Sequence, residues 1–268
     1  MKFPIYSSLL VTATLLTSGV LTTAHAANLA SDNAANYSGA NPWVSGSNGG
    51  TGFGAWTFAN GGGAFYYLGD STTNGTGSGV GINTGGQSWG MSVQGGAVME
   101  AVRPLTGGNL LTGQGINLAF DNGFITNGGS VGFSLLSAGT VRFEYYFTGG
   151  GTGYKVSGNS IQTTTVGFTD GGMNLSFGLT DLDTFSFDAN FLGIGNEAFT
   201  GTLGGTTGTG IDSIRLFNFN GGFGGSNNQY SNSVTVVPEP STYAFMSIGT
   251  GALLLVLRRR RSCLNKVL

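Results

Sequence analysis

Two closely spaced carboxylates are the first candidates for metal chemistry. Asp181 and Asp183 flank Leu182, and Asp170 lies a little earlier in the chain. Side chains two residues apart lie on one face of a strand or within one turn, and their hard oxygen atoms suit Ca²⁺. No EF-hand loop or Ca²⁺-binding nonapeptide repeat accompanies them, so solvated loop acids are the simpler interpretation. We expect no cofactor, with Ca²⁺ at Asp181 and Asp183 as the alternative.

Carboxylates also carry out glycoside hydrolysis, which needs two carboxyl groups about 5–10 Å apart. The glutamates between residues 27 and 237 are Glu100, Glu144 and Glu197, and no Glu-x-Asp-x-x-Glu spacing links them. Arg142 is expected to pair with Glu144, because alternation along a strand puts both on one face. We therefore predict that the protein is not an enzyme and has no catalytic residues. A carboxylate-only glycosidase is the least favoured alternative.

Aromatic rings with polar edges suit stacking on sugars. The candidates for carbohydrate contact are Trp43, Trp56, Trp89, Tyr67 and Tyr146. Strand alternation favours Tyr67 and Tyr146 over their neighbours, because one member of each Tyr-Tyr pair points outward. The alternative is that these rings fill the core and its rim.

Several function classes are excluded by composition. His25 and Cys263 are the only histidine and cysteine, and both lie outside residues 27–237. Ser-His-Asp and Cys-His catalysis, and zinc, haem or iron–sulfur sites held by these residues, are therefore excluded from that segment. The segment holds four cations and eleven acids, a net charge of −7. Such an acidic body argues against nucleic acid as a partner.

The segments that must position these residues are short apolar runs with a period of two, as expected for half-buried strands. The predicted strands are Ala55–Ala59, Ala64–Leu68, Ser88–Val93, Ala97–Val102, Ile116–Phe120, Val131–Leu136, Val141–Phe147, Ile161–Phe168, Asn174–Leu179, Thr184–Phe191, Ala198–Leu203, Ile211–Phe217 and Ser233–Val237. No window predicts a long amphipathic helix.

Glycine accounts for 51 of the 268 residues, and we expect most of these glycines to lie in turns. Asn-Gly-Gly recurs at Asn48, Asn60, Asn127 and Asn220, and Asp121-Asn122-Gly123 is similar. Asn and Gly tolerate the positive φ that tight hairpins need. The sequence therefore predicts one all-β domain over residues 27–237, a two-sheet antiparallel β-sandwich of the jelly-roll, concanavalin-like type.

The N-terminus has the layout of a secretory signal peptide over residues 1–26. Lys2 precedes an apolar run around Leu9–Leu21, which ends in Ala24-His25-Ala26 before Ala27. Small residues at Ala24 and Ala26 predict cleavage before Ala27. The Sec translocon and signal peptidase are the expected partners.

The C-terminus has three consecutive parts. An extended motif comprises Val237, Pro238, Glu239, Pro240, Ser241 and Thr242. An apolar stretch then covers residues 241–257, the lower limit for a transmembrane helix. The cations Arg258, Arg259, Arg260 and Arg261 follow, before a tail over residues 262–268. Such a cluster stays cytoplasmic and stops transfer, so the body is expected outside the inner membrane.

These three parts, in this order, resemble the PEP-CTERM sorting signal. The resemblance implies an exosortase substrate of a Gram-negative bacterium that makes exopolysaccharide. It implies a precursor held briefly in the inner membrane, then a processed protein at the cell surface or in the biofilm matrix. Pro238 and Pro240 keep the motif extended, and Glu239 gives it a recognition charge.

The body itself loosely resembles lectin-like modules of exported proteins. The similar patches are Gly49–Trp56, Ser88-Trp89-Gly90, Gly129–Phe133 and Ile214–Phe219. This resemblance implies a sandwich and, faintly, sugar binding. We expect a non-catalytic structural or adhesive body, with a carbohydrate-binding module as the alternative and exopolysaccharide as a candidate partner.

Overall fold

The structure is a computed structural model that describes residues 29–74 and 81–238. The signal cleavage residues Ala24, Ala26 and Ala27 lie outside these ranges, as do the motif from Glu239 onward, the apolar segment 241–257 and Arg258–Arg261. Within the described residues, no helix is both long and apolar enough to cross a membrane.

The described residues form strands joined by turns and three short 3₁₀ helices at Ala34–Asn36, Ser71–Thr73 and Gly225–Asn227. The strands are β1 (Ala30–Asp32), β2 (Thr57–Asn60), β3 (Ala64–Gly69), β4 (Ser88–Val93), β5 (Val98–Pro104), β6 (Gln114–Asn122), β7 (Ser130–Ser137), β8 (Thr140–Thr148), β9 (Lys155–Ser157), β10 (Ile161–Thr163), β11 (Met173–Asp181), β12 (Thr184–Phe191), β13 (Gly195–Thr202), β14 (Ser213–Phe219) and β15 (Gln229–Pro238).

Within the described ranges, these strands make two antiparallel sheets that pack as a sandwich. One sheet has eight strands in the order β13-β12-β11-β6-β15-β4-β3, with β1 also paired to β15. The other has seven strands in the order β10-β9-β8-β7-β14-β5-β2. The predicted all-β sandwich is confirmed.

Alternating side chains from both sheets fill the core. In β12, Phe185, Phe187, Ala189 and Phe191 are buried, while the residues between them face outward. The rings pack on one another across the sheets, for example Phe143 of β8 against Phe187 at a centroid distance of 5.0 Å. This alternation is the period-two pattern that the sequence predicts.

The strand predicted over Ile161–Phe168 is wrong beyond residue 163. Glu197 of β13 accepts hydrogen bonds from the backbone N–H groups of Thr165 (3.0 Å) and Val166 (2.7 Å). Because a side chain satisfies these donors, the segment leaves the ladder after β10. The sequence analysis also missed two three-residue strands, β1 and β9.

A buried ion pair joins the two sheets. Arg103 of β5 binds Asp32 of β1, and both side chains are fully buried. The Arg103 guanidinium also donates to the carbonyl oxygens of Gly54 (2.8 Å) and Gly49 (2.5 Å), and to Asn48. These bonds fasten the segment between β1 and β2 to the core.

The Asp32 carboxylate is equally well satisfied. It accepts hydrogen bonds from the Tyr37 hydroxyl (2.6 Å) and the Asn36 amide (2.7 Å). Tyr37 in turn accepts from Nε1 of Trp56 at 2.9 Å. A buried charged pair is tolerated only when its donors and acceptors have hydrogen-bond partners, as those of Arg103 and Asp32 do.

Removal of one partner should therefore be far more harmful than loss of a surface charge. Arg103→Met leaves the Asp32 carboxylate buried without its cation, and we expect a loss of about 3–5 kcal/mol in the free energy of unfolding. Urea unfolding followed by tryptophan fluorescence measures this loss.

The control is Lys155→Met, since the Lys155 ammonium bonds an exposed Thr163 hydroxyl. This variant should change the free energy of unfolding by no more than about 0.5 kcal/mol. Equal effects of the two substitutions would contradict a structural role for the buried pair.

Candidate functional site

The start of the C-terminal motif is part of a central strand. β15 lies between β6 and β4, and its last residues Val237 and Pro238 pair with Gly115 and Gln114 of β6. Pro238 is the final residue of the strand, as expected because proline has no N–H for the ladder. The predicted motif therefore begins within the last strand of the folded body.

The first described residues lie beside this same end. Ala30 of β1 pairs with Val236 of β15, and the N–H of Leu29 donates to the Val236 carbonyl at 2.9 Å. The two termini of the described body are thus adjacent in space.

The three tryptophans lie in the core, which corrects their expected role as carbohydrate contacts. Trp43, Trp56 and Trp89 are at most 2% exposed. Trp43 contacts both others, with centroid distances of 5.7 Å to Trp56 and 6.0 Å to Trp89. Their rings stabilise the sandwich near Arg103 and present no face to solvent.

Tyr67 points away from the main core, as alternation predicts, but a smaller cluster covers it. Its ring lies against Gly90, where a Cβ would overlap it, and packs edge-on against Tyr230. Its hydroxyl bonds that of Tyr230 at 3.0 Å. Burial, followed by this bond, raises the pKa of Tyr67, so the phenol stays neutral.

Tyr146 is half-exposed on the outer face of the seven-stranded sheet, whereas Tyr145 is buried. This is the arrangement that strand alternation predicts for the pair. Burial, with the charge of Glu144 as the lesser cause, raises the pKa of Tyr146.

On the same outer face, one arginine binds two glutamates. Arg215 of β14 bonds Glu100 of β5 at 2.8 Å and Glu144 of β8 at 3.0 Å. The Arg215 guanidinium also bonds the hydroxyl of Ser134, which in turn donates to Glu144 at 2.7 Å. The expected pair between Arg142 and Glu144 is therefore wrong, because Glu144 pairs with Arg215.

A β-bulge redirects Arg142. Leu135 of β7 pairs with Phe143 and Leu136 pairs with Val141, so Arg142 is the extra residue of β8. A bulge re-aims a side chain, and here it turns Arg142 into the protein, where it binds Asp183.

Asp181 and Asp183, the pair considered as an alternative Ca²⁺ site, have different partners. Asp183 accepts from the N–H of Gly208 at 3.0 and 2.9 Å and binds Arg142. The Gly208 N–H, followed by Arg142, lowers the pKa of Asp183. Asp181 is exposed and accepts from the N–H of Leu182 at 2.8 Å. Within the described residues, no group of three or more His, Cys, Asp or Glu could hold a metal ion.

A polar cluster not anticipated from the sequence lies under the outer face of the eight-stranded sheet. It consists of Asn74, Asp121 and Asn228, and we call it the Asp121 cluster. Asp121 and Asn74 are completely buried, and Asn228 is 6% exposed. Both carboxylate oxygens of Asp121, both polar atoms of the Asn74 amide and Oδ1 of Asn228 have no hydrogen-bond partner among the described residues.

The three side chains are brought together by β6 and by two short helices. Asp121 is in β6, although Asp121-Asn122-Gly123 was expected to be a turn, and it pairs with Tyr230 of β15. Asn74 and Asn228 are the C-cap residues of the 3₁₀ helices at Ser71–Thr73 and Gly225–Asn227.

Gly123 shows how closely these elements approach. Its N–H donates to the Asn228 carbonyl at 2.9 Å, and a Cβ at Gly123 would collide with Oδ1 of Asn74. The Asn228 side chain also lies near the Tyr67 hydroxyl, beside Tyr230. The Asn74 amide therefore lies close to Asp121, and Asn228 lies just before β15, whose Tyr230 pairs with Asp121.

Hydrogen bonds fix the loop that carries Asn74. Oδ1 of Asn83 accepts from the Ser71 N–H at 3.0 Å and from the Ser88 hydroxyl at 2.9 Å. The amide of Asn83 donates to Asp70, which caps the helix by accepting from the Thr72 N–H at 2.9 Å. The position of Asn74 is therefore set by the structure around it.

Burial raises the pKa of Asp121 from its ordinary value near 3.8 to about 7. The nearby charge of Asp170 raises it further, while the Asn122 N–H and the Asn74 side chain lower it. The Asn74 amide is thus near enough to influence the carboxyl group without meeting it in hydrogen-bond geometry.

Comparisons with known proteins identify the C-terminal segment. Residues 236–261 match the PEP-CTERM protein-sorting motif, so the chain carries this motif from within β15 onward. The match covers the three parts that the sequence analysis singled out. It indicates an exported protein with a membrane-associated precursor and an exosortase as its processing partner.

No curated protein matches the chain. Among solved structures, a carbohydrate esterase from Shiga toxin-encoding bacteriophage phi24B is similar at 15% identity, covering 68% of this chain and 90% of that one, with a TM-score of 0.43. The lectin-like defense protein arcelin-5 from Phaseolus vulgaris is 10% identical over 68% of this chain and 97% of that one (TM-score 0.40). The Caenorhabditis elegans galectin LEC-6 is 12% identical over 56% and 89% (TM-score 0.33). None of these similarities assigns a ligand or a reaction.

The Asp121 carboxyl predicts an unusual pH dependence of stability. Its raised pKa means that the folded protein binds more protons than the unfolded chain between about pH 4 and 7. The stabilisation is present below about pH 4 and is lost as the pH rises through 7. Thermal melts in EDTA should therefore show a melting temperature that falls between pH 5 and pH 8.

Asp121→Asn, which keeps the shape but cannot ionise, should flatten this dependence. The ionisable groups facing Asp121 are Asp170 and the tyrosines Tyr154 and Tyr230, and burial raises the pKa of Tyr154. A wild-type melting temperature that stays constant or rises from pH 5 to pH 8 would contradict the assignment, as would equal slopes in both proteins.

Proposed function

We propose that this chain is an exported protein that an exosortase processes and delivers to the cell surface or to an exopolysaccharide matrix. Its body would be structural or adhesive and non-catalytic. The observation that carries the proposal is the PEP-CTERM motif at residues 236–261, continuous with the central strand β15.

The geometry around the motif supports recognition by a membrane protease. Pro238 ends β15, and the sequence predicts that Pro238 and Pro240 keep the motif extended. An extended segment is what a protease cleft binds. Because the matched motif begins within β15, the protease would act at the end of the sandwich where β15 ends.

The arrangement of the glutamates supports a non-catalytic body. Glu100 and Glu144 share one guanidinium, and Glu197 is occupied by the backbone at residues 165 and 166. In each case the carboxylate has a structural partner. A carboxylate-only glycosidase would need a pair free to act on a bound sugar.

Replacement of Glu239 with Ala tests the sorting proposal. It removes the charge between the two prolines and should leave full-length precursor in the membrane fraction, with loss of most surface-exposed protein. Immunoblotting of fractionated cells that make the chain measures both. Asp188→Ala, which removes a half-exposed acid from β12, should be processed like the wild type. Normal processing of Glu239→Ala would contradict the sorting assignment.

One surface favours the second candidate, a carbohydrate-binding body. Tyr146 and Phe219 are half-exposed on the outer face of the seven-stranded sheet, beside Arg215 and its two glutamates. Phe219 borders a shallow pocket that Glu100 also lines. Aromatic rings next to fixed charged groups are suited to stacking on a sugar and bonding its hydroxyls.

Glycan-array binding tests this candidate. If the surface binds sugar, Tyr146→Ala and Phe219→Ala should each weaken binding about five- to tenfold, the loss expected for one stacking ring. Phe65→Ala removes a 54% exposed ring from β3 and should leave binding unchanged. Absence of glycan binding by the wild type would remove this candidate and leave the structural body.

A further inference from the structure

We propose that the Asp121 cluster is a Ca²⁺ site, in which Asp121 supplies a carboxylate and Asn74 and Asn228 supply amide oxygens. The inference is independent of the sorting motif. It also differs from the alternative Ca²⁺ site considered in the sequence at Asp181 and Asp183, where Asp183 is bound by Arg142 and Gly208.

The first argument is that buried oxygen atoms are left without partners. Oδ1 and Oδ2 of Asp121, Oδ1 of Asn74 and Oδ1 of Asn228 accept no hydrogen bond from the described residues, and all belong to side chains at most 6% exposed. Buried polar atoms are nearly always satisfied, and an exception calls for a water or an ion. Several orphaned acceptors in neighbouring side chains favour a single shared cation.

The negative charge around Asp121 also favours a bound cation. The nearby Asp170 adds a further negative charge to that of Asp121. The basic side chains of the described residues are engaged elsewhere: Arg103 with Asp32, Arg142 with Asp183, Arg215 with Glu100 and Glu144, and Lys155 with Thr163. None of these bonds brings a cation to Asp121. A buried carboxylate in this position needs either a proton or a metal ion.

The third argument is the donor chemistry. The cluster offers carboxylate and amide oxygens, with no imidazole or thiolate, and such sets suit hard cations such as Ca²⁺ and Mg²⁺. Ca²⁺ accepts irregular oxygen sets at 2.3–2.6 Å, whereas Mg²⁺ demands near-ideal octahedral geometry. Side chains from one strand and two separate loops fit the less demanding ion.

The structural consequence is a clamp between loops and sheet. Asn74 belongs to the loop after β3, Asn228 to the loop before β15, and Asp121 to β6, which pairs with β15. An ion bound to all three would hold both loops on the outer face. The affinity expected for an extracellular site of this kind is about 10⁻⁴–10⁻³ M.

Thermal melts and Tb³⁺ luminescence of the full chain in detergent test the proposal at pH 7.5. Addition of 10 mM CaCl₂ to EDTA-treated protein should raise the melting temperature by about 3–5 °C, as expected for a dissociation constant near 1 mM. Tb³⁺, a luminescent substitute for Ca²⁺, should show emission on excitation at 280 nm, because Tyr230 pairs with Asp121. CaCl₂ should quench this emission.

Asp121→Asn is the decisive variant. It should lose the Ca²⁺ shift and at least tenfold in Tb³⁺ affinity, yet melt higher than the wild type in EDTA, because the unpaired buried charge is gone. If Asp121→Asn melts higher than the wild type in EDTA, the variant is folded. Its lost Ca²⁺ response is then due to the missing carboxylate ligand. Asp181→Asn, which changes an exposed acid of the alternative Ca²⁺ pair, should keep the full response.

Three results would overturn the site. The first is a wild type with neither a shift nor Tb³⁺ emission, which would mean that a proton alone neutralises Asp121. The second is a Ca²⁺ response of Asp121→Asn equal to that of the wild type, or loss of the response in Asp181→Asn, either of which would place the ion elsewhere. An equal shift with MgCl₂ would refute the assignment to Ca²⁺.

Discussion

The buried pair between Arg103 and Asp32 is the constraint on which the two-sheet body depends. It joins β5 of the seven-stranded sheet to β1 of the eight-stranded sheet, with both side chains fully buried. Around it, Tyr37, Trp56 and the backbone at residues 49 and 54 satisfy the remaining donors and acceptors. A charge pair in the core tolerates few other arrangements, so it specifies how the N-terminal strand docks.

That docking sets the relation between the two ends of the body. β1 pairs with β15, and β15 is a central strand that ends at Pro238, two residues after the matched sorting motif begins at residue 236. In an exported chain, the eight-stranded sheet is complete only when β15 has crossed the membrane. Completion of the fold and presentation of Glu239 to the protease would then be consecutive events at one end of the domain.

Local pattern was enough to predict most of the sandwich, because alternation and glycine turns are short-range signals. Thr184–Phe191 and Ser88–Val93 have the predicted bounds. The errors have long-range causes: Glu197 captures the backbone after residue 163, and a bulge turns Arg142 inward. Neither the bonds of Glu197 nor the inward turn of Arg142 can be predicted from the residues next to it in sequence.

The two sites differ in the same way: one depends on contiguous residues and the other on residues far apart in the chain. The sorting motif is contiguous, and it was visible in the sequence. The Asp121 cluster joins residues 74, 121 and 228, which only the folded sheet brings together, and Asp121-Asn122-Gly123 resembled a turn. The sequence gives no local sign of the cluster, because Asp121 of β6 meets Tyr230 of β15 only in the folded sheet.

The central claim is that β15 is both an indispensable strand and the start of the sorting signal. Intact-mass spectrometry of the protein released from the cell surface tests this most directly. The account predicts an N-terminus at Ala27 and a C-terminus at or beyond Pro238 but before Arg258. A surface protein that retained Leu268, or one that ended upstream of Gln229 and so lacked β15, would contradict it.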